Sequence, residues 1–156
     1  MQADYVRMLR EPRKAAYVAY VEAHEEVNGL LHRAYILLHR DPEITDPNLR
    51  AQRLDEAENA FNEAHDRAPA MDHLRAVIVV EGPADVAESA AIADAALHEY
   101  KSAVMQWLYA TLRDAPDEAL KLAAIEARSA SRHAYTKLLT DASEAIGEGS
   151  VVRLAP

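Results

Sequence analysis

The histidine and carboxylate side chains of this chain could bind metals or take part in catalysis, and their spacing decides which of these is possible. A buried di-metal centre in a helical bundle uses Glu-x-x-His motifs, which place both ligands one turn apart on one helix face. This chain contains no Glu-x-x-His. Within a helix, His24, His32 and His39 would lie about 12 and 10 Å apart, whereas metal–nitrogen bonds are about 2 Å long. We therefore expect no metal site and no cofactor.

Two residue pairs with a spacing of four have side chains found in ion-binding or catalytic sites. Asp94 and His98 would lie one turn apart, and an exposed ion pair is favoured over half of a weak surface metal site. Ser129 and His133 have the same spacing, but a serine hydrolase also needs an oxyanion hole and an orienting carboxylate. The chain has four glycines and lacks a nucleophile elbow and a phosphate-binding loop. We predict two solvated pairs and no enzyme activity.

His24 is the histidine expected inside the protein, because it falls on an apolar helical stripe between Tyr20 and Val27. A neutral imidazole hydrogen-bonded to a neighbouring helix is the favoured interpretation. The alternative is an internal pocket in which aromatic side chains and His24 bind a small ligand. The candidate pocket residues are Tyr17, Tyr20, His24, Tyr100 and Trp107.

A basic band crosses the middle of the last helical segment and consists of Lys121, Arg128, Arg132 and Lys137. The first segment carries acidic residues at a comparable height, Glu22, Glu25 and Glu26. Ion pairing between the two segments is the favoured interpretation. The alternative is a docking strip for an acidic partner, in which Arg128 and Arg132 make the contacts.

Three short runs contain more apolar surface than one helix face can bury, at residues 35–38, 76–80 and 107–109. The β-branched residues of 77–80 are also compatible with a short extended segment. We expect part of this surface to mediate self-association. The candidate interface residues are Tyr35, Ile36, Val77 and Val79.

Composition limits the classes of partner and the location. The formal charge of −9 opposes binding to nucleic acids and to anionic membranes, since both depend on basic residues. A signal peptide needs about 7–15 uninterrupted apolar residues, and charges at Asp4, Arg7 and Arg10 interrupt this N-terminus. No apolar run approaches the roughly 20 residues of a membrane span. We expect a cytoplasmic protein, and the absence of cysteine excludes thiol chemistry and disulfides.

Four prolines divide the chain into long segments that read as helices. Pro12, Pro47, Pro83 and Pro116 each suit a first helical turn, where an amide has no partner to lose. Alanine makes up about a fifth of the chain, which is typical of helices. Apolar residues recur at spacings of three and four in each segment: Tyr17 to Leu38, Leu54 to Ile78, Val86 to Thr111, and Leu120, Ala123, Ala127, Ala130, Ala134, Leu138, Ala142 and Ala145.

These segments predict an all-α fold, an antiparallel up-down-up-down four-helix bundle. Pro69 should kink the second helix. Gly29 is a weak point in the first, at about 1 kcal/mol relative to alanine, and a small residue there would let a neighbouring helix approach. We divide the chain into an N-terminal arm (1–11), a bundle domain (12–146) and a flexible C-terminal tail (147–156).

Two segments carry a family resemblance. Residues 80–87, Val-Glu-Gly-Pro-Ala-Asp-Val-Ala, join two alanine-rich helices, and residues 13–17 read Arg-Lys-Ala-Ala-Tyr. Together they resemble small uncharacterised helical-bundle proteins of actinobacteria. The resemblance implies a bacterial source and a helical fold, and it brings no catalytic residue or known activity with it.

The sequence thus favours a non-enzymatic interaction or scaffold protein, which binds itself or a protein partner through its helical faces. A regulatory bundle that binds a small ligand is the alternative.

Overall fold

The protein is described by a computed structural model, which covers the backbone of residues 2–147 and the side chains of residues 11–147 other than residue 81. Within this range the chain forms four helices and no strand. Helix α1 spans Gln2–Arg40, a 3₁₀ turn spans Asp41–Glu43, α2 spans Pro47–Glu81, α3 spans Ala84–Leu112 and α4 spans Glu118–Ile146.

The helices form the predicted antiparallel bundle, because three short connections reverse the chain. Helix α1 packs along α2, and α3 packs along α4. Helix α1 also contacts α3 and α4, whereas within residues 2–147 no Cα atom of α2 lies within 8 Å of one in α4. The cross-section is therefore a rhombus with α1 and α3 on its short diagonal.

The prolines mark helix starts less regularly than predicted. Pro47 is the first residue of α2, and the Asp46 side chain accepts hydrogen bonds from the first turn. Pro83 is the N-cap of α3, and Pro116 precedes Asp117, the N-cap of α4. Pro12 lies inside α1, so the helix start predicted there is wrong. The residues that flank Pro12 include Leu9, Arg10, Lys14 and Ala15, which favour helix on both sides of it.

The predicted end segments are only partly described. Residues 2–11 belong to α1, and their role as a separate arm stays a prediction. Gly147 ends α4 with a φ of 96°, as the sequence suggested. The rest of the predicted C-terminal tail, residues 148–156, lies outside the described residues. Helix α2 continues through Pro69 without a break.

The predicted apolar stripes of α1 and α3 are buried over their whole length. In α4 the stripe is correct from Ala134 onward, but in the first half Ala124 and Ser131 are buried while Ala123 and Ala130 are exposed. Alanines on both sides of the helix give the sequence no contrast there, so the register could not be read from hydrophobicity.

One end of the bundle, here called the closed end, holds two of the three connections. Arg50 at the start of α2 donates two hydrogen bonds to Asp41 (2.8 and 3.0 Å) and a third to Asp114 (2.8 Å). Asp41 follows α1 directly, and Asp114 follows α3. A single guanidinium therefore ties both connections to the first turn of α2.

The opposite end, here called the open end, has a single tight turn at Gly82 and Pro83. A Cβ atom at Gly82 would lie 2.8 Å from the Ile78 carbonyl oxygen and 3.0 Å from the Tyr17 hydroxyl, so the turn requires glycine. Tyr17 thus lies level with the turn. Helical side chains point toward the N-terminus of their helix, so the backbone of α1 is level with the turn a few residues before Tyr17. About three turns of α1, residues 2–12, therefore extend beyond the turn at Gly82 and Pro83.

Candidate functional site

An aromatic cluster fills the core toward the closed end. The ring of Tyr35 meets Tyr100 and Trp107 edge-on, with centroids 6.3 and 5.8 Å apart, a favoured geometry for aromatic pairs. The Arg128 guanidinium lies 5.1 Å from the centre of the Tyr35 ring. Tyr35 is 6% exposed, so its predicted place in an exposed interface is wrong: the residue packs inside the bundle.

A polar layer of Tyr20, His24, Ser131 and Tyr135 crosses the core nearer the open end. His24 is 2% exposed and stacks on Tyr135, with ring centroids 4.4 Å apart. Neither ring nitrogen of His24 has a hydrogen-bond partner among the described residues, nor does the hydroxyl of Ser131. The hydroxyls of Tyr20 and Tyr135 make no hydrogen bond of normal geometry either, but each lies close enough to a carboxylate, Asp94 and Glu25 respectively, for that carboxylate to raise its pKa. The predicted hydrogen bond from His24 to a neighbouring helix is therefore wrong.

Burial keeps the polar layer uncharged. It lowers the pKa of His24 to about 4, so the imidazole is neutral near pH 7. It also raises the pKa of the Tyr20 and Tyr135 hydroxyls. The layer offers neutral donors and acceptors, and Ser131 makes no hydrogen bond to His24 that would activate it as a nucleophile.

The five candidate pocket residues lie in three places. Tyr17 lies beside Gly82 at the open end, Tyr20 and His24 belong to the polar layer, and Tyr100 and Trp107 belong to the aromatic cluster. His24 precedes Tyr35 by eleven residues, or about 16 Å along α1. The structure thus does not bring these five side chains around one point.

A carboxylate–histidine cluster of Asp72, Asp94 and His98, with Arg75, lies between α2 and α3. Ligand atoms of the first three lie within 4.8 Å of one another. His98 Nδ1 lies 2.8 Å from the Asp94 carbonyl oxygen, and His98 Nε2 lies 3.8 Å from Asp72 Oδ1. When Nδ1 carries the proton it donates to that carbonyl, which leaves Nε2 free as a metal ligand.

A cation already occupies part of that cluster. Arg75 Nε lies 3.2 Å from Asp94 Oδ2 and balances the charge that a metal would otherwise neutralise. Asp94 was predicted to be exposed, and this is wrong, because the residue is buried. Burial is the main reason that the pKa of Asp94 is raised. Sequence reasoning missed Asp72 and Arg75, because nothing in a pattern within α3 points to another helix. The cluster is foremost an ion-pair network.

A basic cleft opens between α1 and α4. It has a volume of about 170 Å³ and is lined by Asn28, Gly29, His32, Arg128 and Arg132. Burial, then the charges of Arg128 and Arg132, lower the pKa of His32. The predicted pairing of these arginines with Glu22, Glu25 and Glu26 is absent: among the described residues neither arginine has a carboxylate within 4.0 Å, and Glu26 instead pairs with Arg67 of α2.

A valine face covers the last turn and a half of α2 and consists of Ala76, Val77, Val79 and Val80. All four residues are exposed, Val79 at 52% and Val80 at 80%. At 100° per residue they cover a continuous arc of about 160°. Only Ile78 of this run points into the core. The run is helical, which excludes the extended alternative.

Two remaining predictions concern exposed residues. Ile36 is partly exposed toward the closed end, where it lines a cleft with Leu37, Arg40 and Leu49. Ser129 and His133 lie on the exposed face of α4, as predicted. No helix within residues 2–147 combines the length and the apolar content that a membrane crossing requires.

Comparison with known proteins identifies no relative. No family model matches the chain, no curated protein is significantly similar to it, and no solved structure matches its fold significantly. The sites described above are therefore interpreted from their geometry alone.

Proposed function

We propose that this protein is a non-enzymatic helical interaction protein that self-associates through the valine face. The exposed valines carry this proposal. β-Branched residues are weaker helix formers than alanine or lysine, and Val79 and Val80 gain little from packing within the chain because they are half-exposed or more. Contact with a second copy would bury them.

The valine face suits a symmetric contact. A two-fold axis would place the valine face of one copy against the same face of a second copy, so that one apolar patch is covered without an unlike partner. An exposed apolar patch at one end of the bundle therefore favours a homodimer.

The wider profile fits an interaction protein. The net charge of −9 disfavours nucleic acid as a partner. Ser131 of the polar layer makes no hydrogen bond that would activate it as a nucleophile, and the connections between the described helices are too short to build an active site from loops. Cytoplasmic location, a bacterial source and kinship with the small actinobacterial bundles are parts of the same proposal.

Native mass spectrometry and sedimentation across a concentration series test self-association. We expect a dimer in the wild type and a monomer in the double variant Val79→Glu/Val80→Glu, because two carboxylates per copy would be desolvated in the contact. Leu122→Glu is the matched control, since Leu122 is 56% exposed on α4, away from the valine face. A wild type that stays monomeric, or a dimer that survives the double substitution, overturns the proposal.

A small-ligand-binding bundle is the second candidate function. The unpaired hydrogen-bonding groups of the polar layer favour it, because buried donors and acceptors without partners are unfavourable by about 1–3 kcal/mol each. A reproducible extra mass on the protein in the same native spectra, lost in His24→Leu, supports this candidate. If no extra mass is found, the small-ligand candidate is ruled out and the interaction proposal remains.

A further inference from the structure

Gly29 is a glycine in the middle of a long helix that packing does not require. A Cβ atom at this position would meet no heavy atom of a neighbouring element within 4 Å, and the residue does not have a positive φ. Glycine weakens a helix relative to alanine, and the predicted close approach of another helix is absent. Packing therefore does not explain the glycine at position 29.

Gly29 is one of the residues that line the basic cleft. It is exposed and lies beside Asn28, and His32 follows one turn later on the same face of α1. Arg128 and Arg132 face them from α4. A longer side chain at position 29 would extend into the open space beside these residues.

Two of the basic side chains of the cleft, His32 and Arg128, contact Tyr35, and neither arginine of the cleft has an anionic partner among the described residues. His32 stacks near Tyr35 with ring centroids 6.1 Å apart, and Arg128 lies over the same ring. Neither Arg128 nor Arg132 has a carboxylate within 4.0 Å in the described part of the chain. In a protein of net charge −9, two such arginines side by side are a local exception.

We propose that the basic cleft binds the dianionic phosphate group of a small molecule, either free phosphate or a phosphomonoester. Arginine suits this ligand, because its planar guanidinium donates two parallel hydrogen bonds to phosphate oxygens. The volume of about 170 Å³ is below the roughly 300–1,000 Å³ of pockets for drug-sized ligands, so it suits a small anion. An acidic protein segment would need a wider strip.

This inference is independent of self-association, since the cleft lies on the α1 and α4 face and the valine face lies on α2. Failure of one proposal therefore leaves the other standing.

The test follows the ring resonances of His32 by NMR while inorganic phosphate, and separately glycerol 3-phosphate, is added against sodium chloride of equal ionic strength. A bound dianion beside the imidazole favours its protonated form, so the pKa of His32 should rise. We expect saturable binding with a dissociation constant below about 1 mM. The tighter of the two ligands identifies the source of the phosphate group.

Three variants separate a site from general attraction of anions. Arg132→Gln should weaken binding at least about tenfold, which corresponds to the loss of one charge-assisted contact. Arg33→Gln removes an equal charge from an exposed neighbouring position outside the cleft and should leave binding unchanged. Gly29→Leu should block binding without changing the charge.

Two results overturn the proposal. One is a His32 pKa that phosphate leaves unmoved. The other is an equal effect of Arg132→Gln and Arg33→Gln, which would mean general electrostatic attraction only. Because Arg132 and Arg33 are both exposed, this comparison does not depend on whether Gly29→Leu folds.

Discussion

The closed and open ends of the bundle differ in the interactions that hold them and in the surface that they expose. At the closed end, Arg50 joins two connections through Asp41 and Asp114, so the ends of α1 and α3 are tied to α2. At the open end the chain turns once at Gly82, and α1 continues past that turn with the valine face beside it. The closed end is held by ion pairs within the chain, although Ile36 and Leu49 stay partly exposed there, whereas the open end carries Val80, which at 80% is the most exposed large apolar side chain of the described residues.

The core shows the same division. The aromatic cluster near the closed end pairs its rings edge-on, whereas the polar layer places His24 and Tyr20 in the core with unpaired polar atoms. Aromatic packing contributes to stability, while unpaired buried polar groups oppose it. We infer that the stability of the fold is concentrated toward the closed end, which leaves the other half free to serve binding.

Truncation of the aromatic cluster should have the largest effect on stability. Trp107→Ala removes a buried ring beside Tyr35, and we expect the free energy of unfolding to fall by about 3–5 kcal/mol. Urea denaturation followed by far-ultraviolet circular dichroism measures this change. A loss below about 1 kcal/mol would show that the aromatic cluster does not dominate the core.

The second prediction concerns the polar layer and its response to acid. His24 has a pKa of about 4 in the folded protein and about 6.5 when unfolded. The unfolded state therefore binds the proton first as the pH falls. Stability should be full above pH 6.5 and should decrease by about 3 kcal/mol between pH 6.5 and pH 4 from this residue alone.

Replacement of His24 isolates this contribution from that of the carboxylates. His24→Leu has a similar volume and no titrating group, so its stability should fall about 3 kcal/mol less than that of the wild type over the same pH range. His133→Leu, on the exposed face of α4, should retain the wild-type slope. Equal slopes for His24→Leu and the wild type would show that His24 is not held neutral.

The fold followed from the sequence because helix periodicity is a local signal. The stripes of α1 and α3, from Tyr17 to Leu38 and from Val86 to Thr111, are buried as predicted, since each contains enough large apolar residues at spacings of three and four to fix its register. The prediction for the first half of α4 was wrong because alanines at 123 and 124 give no hydrophobic contrast between the two sides of the helix. The helix start predicted at Pro12 was wrong for another reason, because a helix can continue through a proline when the residues on both sides favour helix.

The candidate sites were predicted less well, because contacts between helices are not local. The exposed Val77 and Val79 could be chosen from composition, but Tyr35 in a similar apolar run is buried. Arg128 and Arg132 were matched with the wrong partners, since Glu26 pairs across to α2. The cleft around Gly29 depends on a space between two helices, which no residue pattern within one helix encodes.

The smallest predicted effect concerns the ion pairs at the closed end. Arg50→Met leaves Asp41, whose side chain is 10% exposed, without its charged partner, and we expect the free energy of unfolding to fall by about 1–2 kcal/mol. Asp114→Asn removes only the pair to a side chain that is 80% exposed and keeps a residue that tolerates the positive φ of position 114. That change should stay below about 0.5 kcal/mol.

Urea denaturation, which leaves ion pairs unscreened, measures both variants. If Asp114→Asn lowers the free energy of unfolding as much as Arg50→Met does, the exposed Arg50–Asp114 pair is what stabilises the closed end. Added salt screens an exposed ion pair, so the extra stability of the closed end over the open end would then be lost at high salt.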